Sequence, residues 1–212
     1  MKLVEKSVVD FIDEVDSASP APGGGSVSAL VGSLGASLSR MVGHLTVNKK
    51  KFKGYSEEIQ WDFIQRFEEL YNIKSELNVL VDRDTEAFNY VMAAFKLPKE
   101  TEEEKAARNA AIEEATYKAI DVPMVIGELS YRGLELIEYF VEYGNKNAIT
   151  DLGVSALLLA SALEGAILNV KINLPGISDE EYVETTKKKC VELLEGGLEI
   201  KKRVLEGVET NL

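Results

Sequence analysis

Apolar residues at positions 4, 8, 11, 12 and 15 recur at helical spacing, so the first element expected is a helix from Leu3 to Val15. It has to stop in Ser17-Ala-Ser-Pro-Ala-Pro-Gly-Gly-Gly25, where two prolines and three glycines forbid its continuation. From Ser26 to about Val47 the chain is built of Ser, Ala, Gly, Leu and Val, with only Arg40 charged before His44; such a helix can approach neighbours closely on several faces and belongs in the core. After a lysine-rich connection (Lys49, Lys50, Lys51, Lys53, Gly54), nothing breaks a helix between Ser56 and Pro98. There the apolar residues from Ile59 through Phe67, Leu77, Val81 and Phe88 to Phe95 step mostly by three or four, predicting one amphipathic rod of about 60 Å. Thr101 and Glu104 form a capping box for a helix running to Tyr143, with a kink or break at Pro123 and a stop at Gly144. Residues 150–172 read as a second nearly uncharged helix, and Ser178 with Glu181 as the cap of a last amphipathic one containing Gly196-Gly197. No strand-period stretch competes. The expected fold is all-α, one domain over residues 1–212: an elongated helical bundle with one very long helix, whose stripe outreaches the core and calls for a second copy in a two-fold dimer.

Composition narrows the chemistry. One cysteine (Cys190) cannot close an intrachain disulfide, and one histidine (His44) cannot supply the paired imidazoles of a His-rich zinc site, so acid–base work falls to carboxylates, lysines or tyrosines. His44 and Cys190 read as packed residues without a role. With 36 acidic against 24 basic residues, a formal charge of −12 disfavours nucleic acid as a partner. The first residues lack a basic flank followed by an apolar run, and the most apolar stretch carries Glu164, so a cytoplasmic, soluble protein with no membrane partner is expected.

Four groups could carry chemistry. The Pro20–Ser26 turn opens the first uncharged helix, and its glycines let backbone N–H groups face a ligand, or simply let the chain turn sharply past another backbone. It lacks the Gly-Lys-Ser/Thr ending of a P-loop and the preceding strand of a dinucleotide fingerprint. Asp84 falls on the inward spacing 77, 81, 84, 88, where a carboxylate is either paired, for instance with Arg40, or serves as a base or ligand-reading acid; Asp82 and Glu86 are expected to face water. Asn145, Asn147 and Asp151 bracket the start of the second uncharged helix and Asn169 and Asn173 its end; Asp151 suits an N-cap, and the two asparagines share a face and can bond between helices. Lys49, Lys50, Lys51 and Lys53 make the one dense positive patch, either a solvated loop or an attractor of carboxylates.

Taken in order, Ser19-Pro-Ala-Pro-Gly-Gly-Gly-Ser-Val-Ser-Ala-Leu30, Met41-Val42, Leu45-Thr46 with Lys49-Lys50, Asp84-Thr-Glu-Ala-Phe88, Gly144-Asn-Lys-Asn147 with Asp151, and Asn169-Val-Lys-Ile-Asn-Leu174 resemble the cyclodeaminase/cyclohydrolase family of folate enzymes, over roughly residues 5–205. The resemblance implies an all-helical homodimer with a tetrahydrofolate cleft near the dimer interface, and no metal or redox cofactor. The implied reaction is formimidoyltetrahydrofolate cyclodeamination to 5,10-methenyltetrahydrofolate and ammonia, with methenyltetrahydrofolate cyclohydrolysis as its close alternative and a noncatalytic helical assembly module as a reading of another class. Asp84 would shuttle a proton or clamp the pterin, and Lys49 and Lys50 would hold the glutamyl tail or polarise the one-carbon group. Pro22, Gly23, Gly24, Gly25, Ser26, Asn145, Asn147, Asp151, Asn169 and Asn173 would line or brace the pocket.

Overall fold

A computed structural model describes residues 2–212, which form seven α-helices and no strand: α1 (Val8–Val15), α2 (Gly24–Val47), α3 (Lys50–Lys53), α4 (Glu57–Phe95), α5 (Glu102–Tyr143), α6 (Ile149–Asn173) and α7 (Glu180–Glu209). Most boundaries follow from local capping chemistry. The Ser56 hydroxyl accepts the Ile59 amide at 3.3 Å to start α4, and Thr101 and Glu104 form the expected reciprocal box on α5, at 3.1 Å each way. Three expectations needed revision. The first helix does not begin at Leu3: Leu3–Glu5 make a 3₁₀ turn, Lys6 is extended, and Ser7 caps α1 by accepting the Asp10 amide at 3.1 Å. At α7 the cap is Asp179, which accepts the Tyr182 amide at 3.0 Å, because Ser178 is drawn away by Glu113 of α5, to which its own amide donates at 2.8 Å. The third concerns the rods: α5, at 42 residues, is longer than α4 at 39, and it runs through Pro123 without a break.

At the centre α2 and α6 lie side by side, α4 packs on α2, α5 packs on both α6 and α4, and α7 covers α5 and α6. Bulk comes from the flanking helices, with Phe63, Leu70 and Leu77 of α4, Leu134 and Phe140 of α5, and Leu159 and Leu163 of α6 fully buried. By contrast α2 buries Ser26, Ala29, Gly32, Gly35, Ser39 and Gly43, so that neighbouring backbones close in. A Cβ at Gly35 would stand 2.9 Å from Leu159 Cγ and 3.2 Å from the Ser155 carbonyl. Across the same contact Ser155 donates its hydroxyl proton to the Gly35 carbonyl at 2.7 Å, which makes Ser39 the donor in the 2.6 Å Ser39–Ser155 bond. The segment Lys146–Gly176 is long and apolar enough to cross a membrane, with a mean hydropathy of 1.6, and here that apolarity is used against three protein neighbours.

The stripe of α4 is buried within the chain from Phe63 through Phe67, Leu70, Ile73 and Leu77 to Val81, while its C-terminal members Met92 and Phe95 stay exposed, at 39% and 48%. The far end of the rod therefore keeps open apolar surface. Apolar surface is left open elsewhere, on α1 (Val8 at 77%, Ile12 at 57%) and along α2 (Leu34 at 52%, with Met41 and Leu45 exposed).

Gly35→Val forces β-branched bulk into a backbone contact, so it should destabilise the chain by about 2 kcal/mol or more and lower Tm by roughly 4–8 °C. Gly54→Ala, at a turn whose φ of −91° suits any residue, should stay within about 0.5 kcal/mol of the parent. Thermal melts of the two variants check the contrast.

Candidate functional site

Gly23 occupies the N-cap position of α2 and has no side chain with which to satisfy the first helical amides. The missing acceptor comes from another helix. Asp84 of α4 reaches over so that its Oδ2 accepts the Ser26 amide at 2.8 Å and the Ser26 hydroxyl at 3.1 Å, while the same hydroxyl lies 2.8 Å from the Val81 carbonyl. A carboxylate fits here because the start of a helix carries partial positive charge. The glycines serve this approach through clearance: a Cβ on Gly25 would fall on the Asp84 carboxylate, and one on Gly24 would stand 3.0 Å from Asn169 Nδ2. No glycine among the described residues has a positive φ, so conformational freedom is not their contribution.

Among the described residues Asp84 has no cationic partner. Arg40, the partner considered for it, instead lies over the Phe67 ring at 4.0 Å and donates to the Phe67 carbonyl. Burial pushes the Asp84 carboxyl above the ordinary carboxylate range, and the Ser26 hydrogen bonds offset that only in part. Its Oδ1 has no hydrogen-bond partner among the described residues, and the Asp84 side chain lines a cavity of about 330 Å³. Asp82, expected to face water, does not: its Oδ1 accepts the Leu3 amide at 2.6 Å and its Oδ2 is buried, because the N-terminal turn folds back over α4. Glu86 is exposed as expected.

Apolar surface from Ala87, Phe88, Val91 and Ile172 walls the cavity, with Pro20, Ala21, Gly23, Gly24 and Ala119 completing it beside Asn169 and Asn173. Asp84, the glycine turn and the two asparagines are therefore brought together as the sequence suggested. Gly25, Ser26 and Pro22 are buried beneath the wall rather than on it. Phe88 and Val91 were legible as a stripe but not as a ligand wall; their spacing of four and seven residues from Asp84 places them on its face of α4.

The remaining candidates lie at the far end of α2, about 36 Å along a helix of 24 residues. Lys49, Asn145 and Asn147 border a smaller cavity of about 190 Å³, together with Thr46, Lys51, Tyr143 and Lys146. Asn145 is a brace: its amide donates to Thr46 Oγ1 at 2.9 Å and its side-chain oxygen accepts the Asn147 amide at 3.2 Å, tying the end of α2 to the α5–α6 connection. Lys50 is exposed and outside that cavity. Asp151 sits in the first turn of α6, where Ala148 holds the N-cap position that Asp151 was expected to take. Lys51 belongs to the lysine patch read from the sequence, and Lys146 is the positive charge that the structure adds to it. Burial, reinforced by Lys51, holds the Lys146 ammonium below its ordinary pKa. Within one chain Lys49 and Lys50 cannot reach a ligand at Asp84. Cys190 is buried, as expected of a core thiol, and His44 sets its ring edge-on to Phe67 at 4.8 Å.

A family profile described as Formiminotransferase-cyclodeaminase matches residues 7–192. Methenyltetrahydrofolate cyclohydrolase of Methylorubrum extorquens is 37% identical over 207 residues, 98% of each chain. Formimidoyltransferase-cyclodeaminase of Rattus norvegicus is 34% identical over 193 residues, covering 91% of this chain and 35% of that longer protein. The crystal structure of formiminotetrahydrofolate cyclodeaminase from Thermotoga maritima superposes with a TM-score of 0.80 at 31% identity, covering 97% of both chains.

The raised Asp84 pKa has a consequence for stability. The folded chain binds this proton more tightly than the unfolded chain, so the contribution of Asp84 is greatest below the ordinary carboxylate pKa and declines as pH rises through its folded value. Asp84→Asn keeps an acceptor for Ser26 and removes the titration. Relative to the parent, the variant should gain stability between about pH 4 and pH 8, as read from urea unfolding at the two pH values.

Proposed function

The chain belongs to the formiminotransferase-cyclodeaminase family, and on that premise we propose that it acts on the one-carbon unit between N5 and N10 of a tetrahydrofolate, as a formimidoyltetrahydrofolate cyclodeaminase. In this reaction N10 attacks the formimino carbon on N5, a C–N10 bond forms, and the resulting tetrahedral carbon expels ammonia to leave the 5,10-methenyl bridge. N10 must lose a proton and the departing nitrogen must gain one, so a single group able to hold a proton near neutral pH can serve both steps. The observation that carries the reading is Asp84: a carboxylate without a cationic partner among the described residues, held by one oxygen on the start of α2, raised in pKa by burial, and lining an apolar-walled cavity. Acid–base chemistry of this kind calls for no metal or redox cofactor.

The full-length likeness to the Methylorubrum extorquens cyclohydrolase favours a second reading, in which water opens the methenyl bridge to 10-formyltetrahydrofolate at the same carbon with the same proton transfers. Both readings take the chain to work as a two-fold dimer. Val27, Leu30, Leu34, Leu38, Met41 and Leu45 form a seam along the open side of α2, centred near residue 36. Two copies of α2 paired antiparallel about that centre would set residue 24 of one chain about level with residue 48 of the other, next to Lys49. The lysine end of one protomer then lies by the Asp84 end of its partner, where Lys49 can meet the glutamyl tail.

Three results follow. The purified protein with 5-formiminotetrahydrofolate should generate the methenyl absorbance and release ammonia; loss of that absorbance from supplied methenyltetrahydrofolate, with no deamination, selects the cyclohydrolase, and no turnover or binding of either leaves only the assembly module. Asp84→Asn should lower turnover roughly 10²–10⁴-fold while remaining folded. Leu34→Asp combined with Met41→Asp should give a folded monomer by light scattering at micromolar concentration, with turnover reduced alongside; an unaltered mass would remove the α2 seam as the interface.

A further inference from the structure

Pro123 stands in the middle of α5 and has no amide with which to bond the carbonyl four residues earlier, that of Ala119. Ala119 is part of the cavity wall beside Asp84, and its carbonyl is not left empty: Asn173, at the last turn of α6, donates its side-chain Nδ2 to it at 3.1 Å. The same nitrogen donates to the Asn169 carbonyl at 2.8 Å. Both neighbours are carbonyl oxygens, so the orientation of the amide is fixed by chemistry: nitrogen toward the two backbones, oxygen away from them. Asn173 Oδ1 takes no hydrogen bond within the protein, and Asn173 borders the cavity. Asn169 is committed in the same sense, its Nδ2 donating to the Gly165 carbonyl at 2.8 Å. Beside the apolar wall of Phe88, Val91 and Ile172, the α6 side of the cavity thus carries the two asparagines, Asn173 with both amide protons committed, and no side-chain cation among the described residues.

We propose that Pro123 and Asn173 act as a pair that makes this cavity selective for the N–H edge of a flat heterocycle: the proline removes one backbone donor, Asn173 fills the vacancy, and its oxygen is thereby presented as an acceptor. The inference rests on the folate reading above and assigns that reading its specificity element. The 2-amino-4-oxopyrimidine ring of a tetrahydrofolate carries adjacent N–H donors at N3 and the 2-amino group, which suit such acceptors. An analogue with methyl in place of the 2-amino group keeps the shape and the N3–H but loses the 2-amino donors, so the two-donor edge that the acceptor reads is broken. Pro123 is a positioning residue in this scheme, acting only through Asn173.

The test measures binding of tetrahydrofolate and of its 2-methyl analogue to the whole protein by calorimetry, for the parent, Asn173→Ala, Pro123→Ala and the double variant, each with its melting temperature. The parent should prefer tetrahydrofolate at least about tenfold, Asn173→Ala should lose most of that preference, and Pro123→Ala, which returns an amide to the Ala119 carbonyl, should lose part of it. In the Asn173→Ala background Pro123→Ala should change the preference no further, the signature of two residues on one path. Full preference retained in a folded Asn173→Ala variant, or independent additive effects of the two substitutions, overturns the proposal. Failure of the folate reading looks different, because the parent then binds neither compound. If Asn173→Ala does not fold, Pro123→Ala decides on its own: undiminished preference in that variant ends the assignment.

Discussion

The capping of α2 by a carboxylate from α4 is the contact on which the site depends. A helix N-terminus needs acceptors, and Gly23 supplies none. By taking Asp84 instead, the chain fixes the register between two helices whose residues are 58 positions apart at the Ser26–Asp84 bond. The same contact sets one carboxylate oxygen on the helix and makes Asp84 part of the cavity lining. Gly24 and Gly25 are small for this reason, since a side chain at either would meet Asn169 or Asp84. Structure and reactivity are thereby joined in one group: burial makes ionisation of Asp84 costly, and the Ser26 bonds hold it in a fixed orientation.

Around that contact the fold divides its helices by composition. The small residues of α2 allow α6 and α4 to approach backbone to backbone, and the large side chains of α4, α5 and α6 fill the remaining volume. This economy leaves α2 with one open apolar side, and it separates the two polar ends of the helix by about 36 Å. The acidic and amide groups sit at one end, while Lys49, Lys51 and Lys146 sit at the other. The two-fold pairing proposed for the open side would bring the two ends together.

Much of this was legible in the sequence, because it rests on local rules. Helical periodicity, the Thr101/Glu104 box, the stops at Pro98 and Gly144 and the two nearly uncharged segments depend on residues within a few positions of one another, and the helices follow them closely. The inward spacing of Asp84 was read from the same periodicity. Ser178 and Asp82 show where such reading ends: each had an ordinary local role available, and each was taken up by a distant group, Glu113 and the Leu3 amide respectively. Pro123 is the reverse case, a local break signal neutralised by Asn173, 50 positions on in the chain.

Which candidates share a cavity was decided by tertiary structure alone. The glycine turn, Asp84, Asn169 and Asn173 converge because α2 and α6 lie side by side under α4 and α5. Lys49, Asn145 and Asn147 diverge from them because α2 is a straight spacer between the two groups. Sequence spacing records the angle of a residue around its own helix and its height along it. It carries no information about which end of a neighbouring helix stands beside it, and that depends on how whole helices pack.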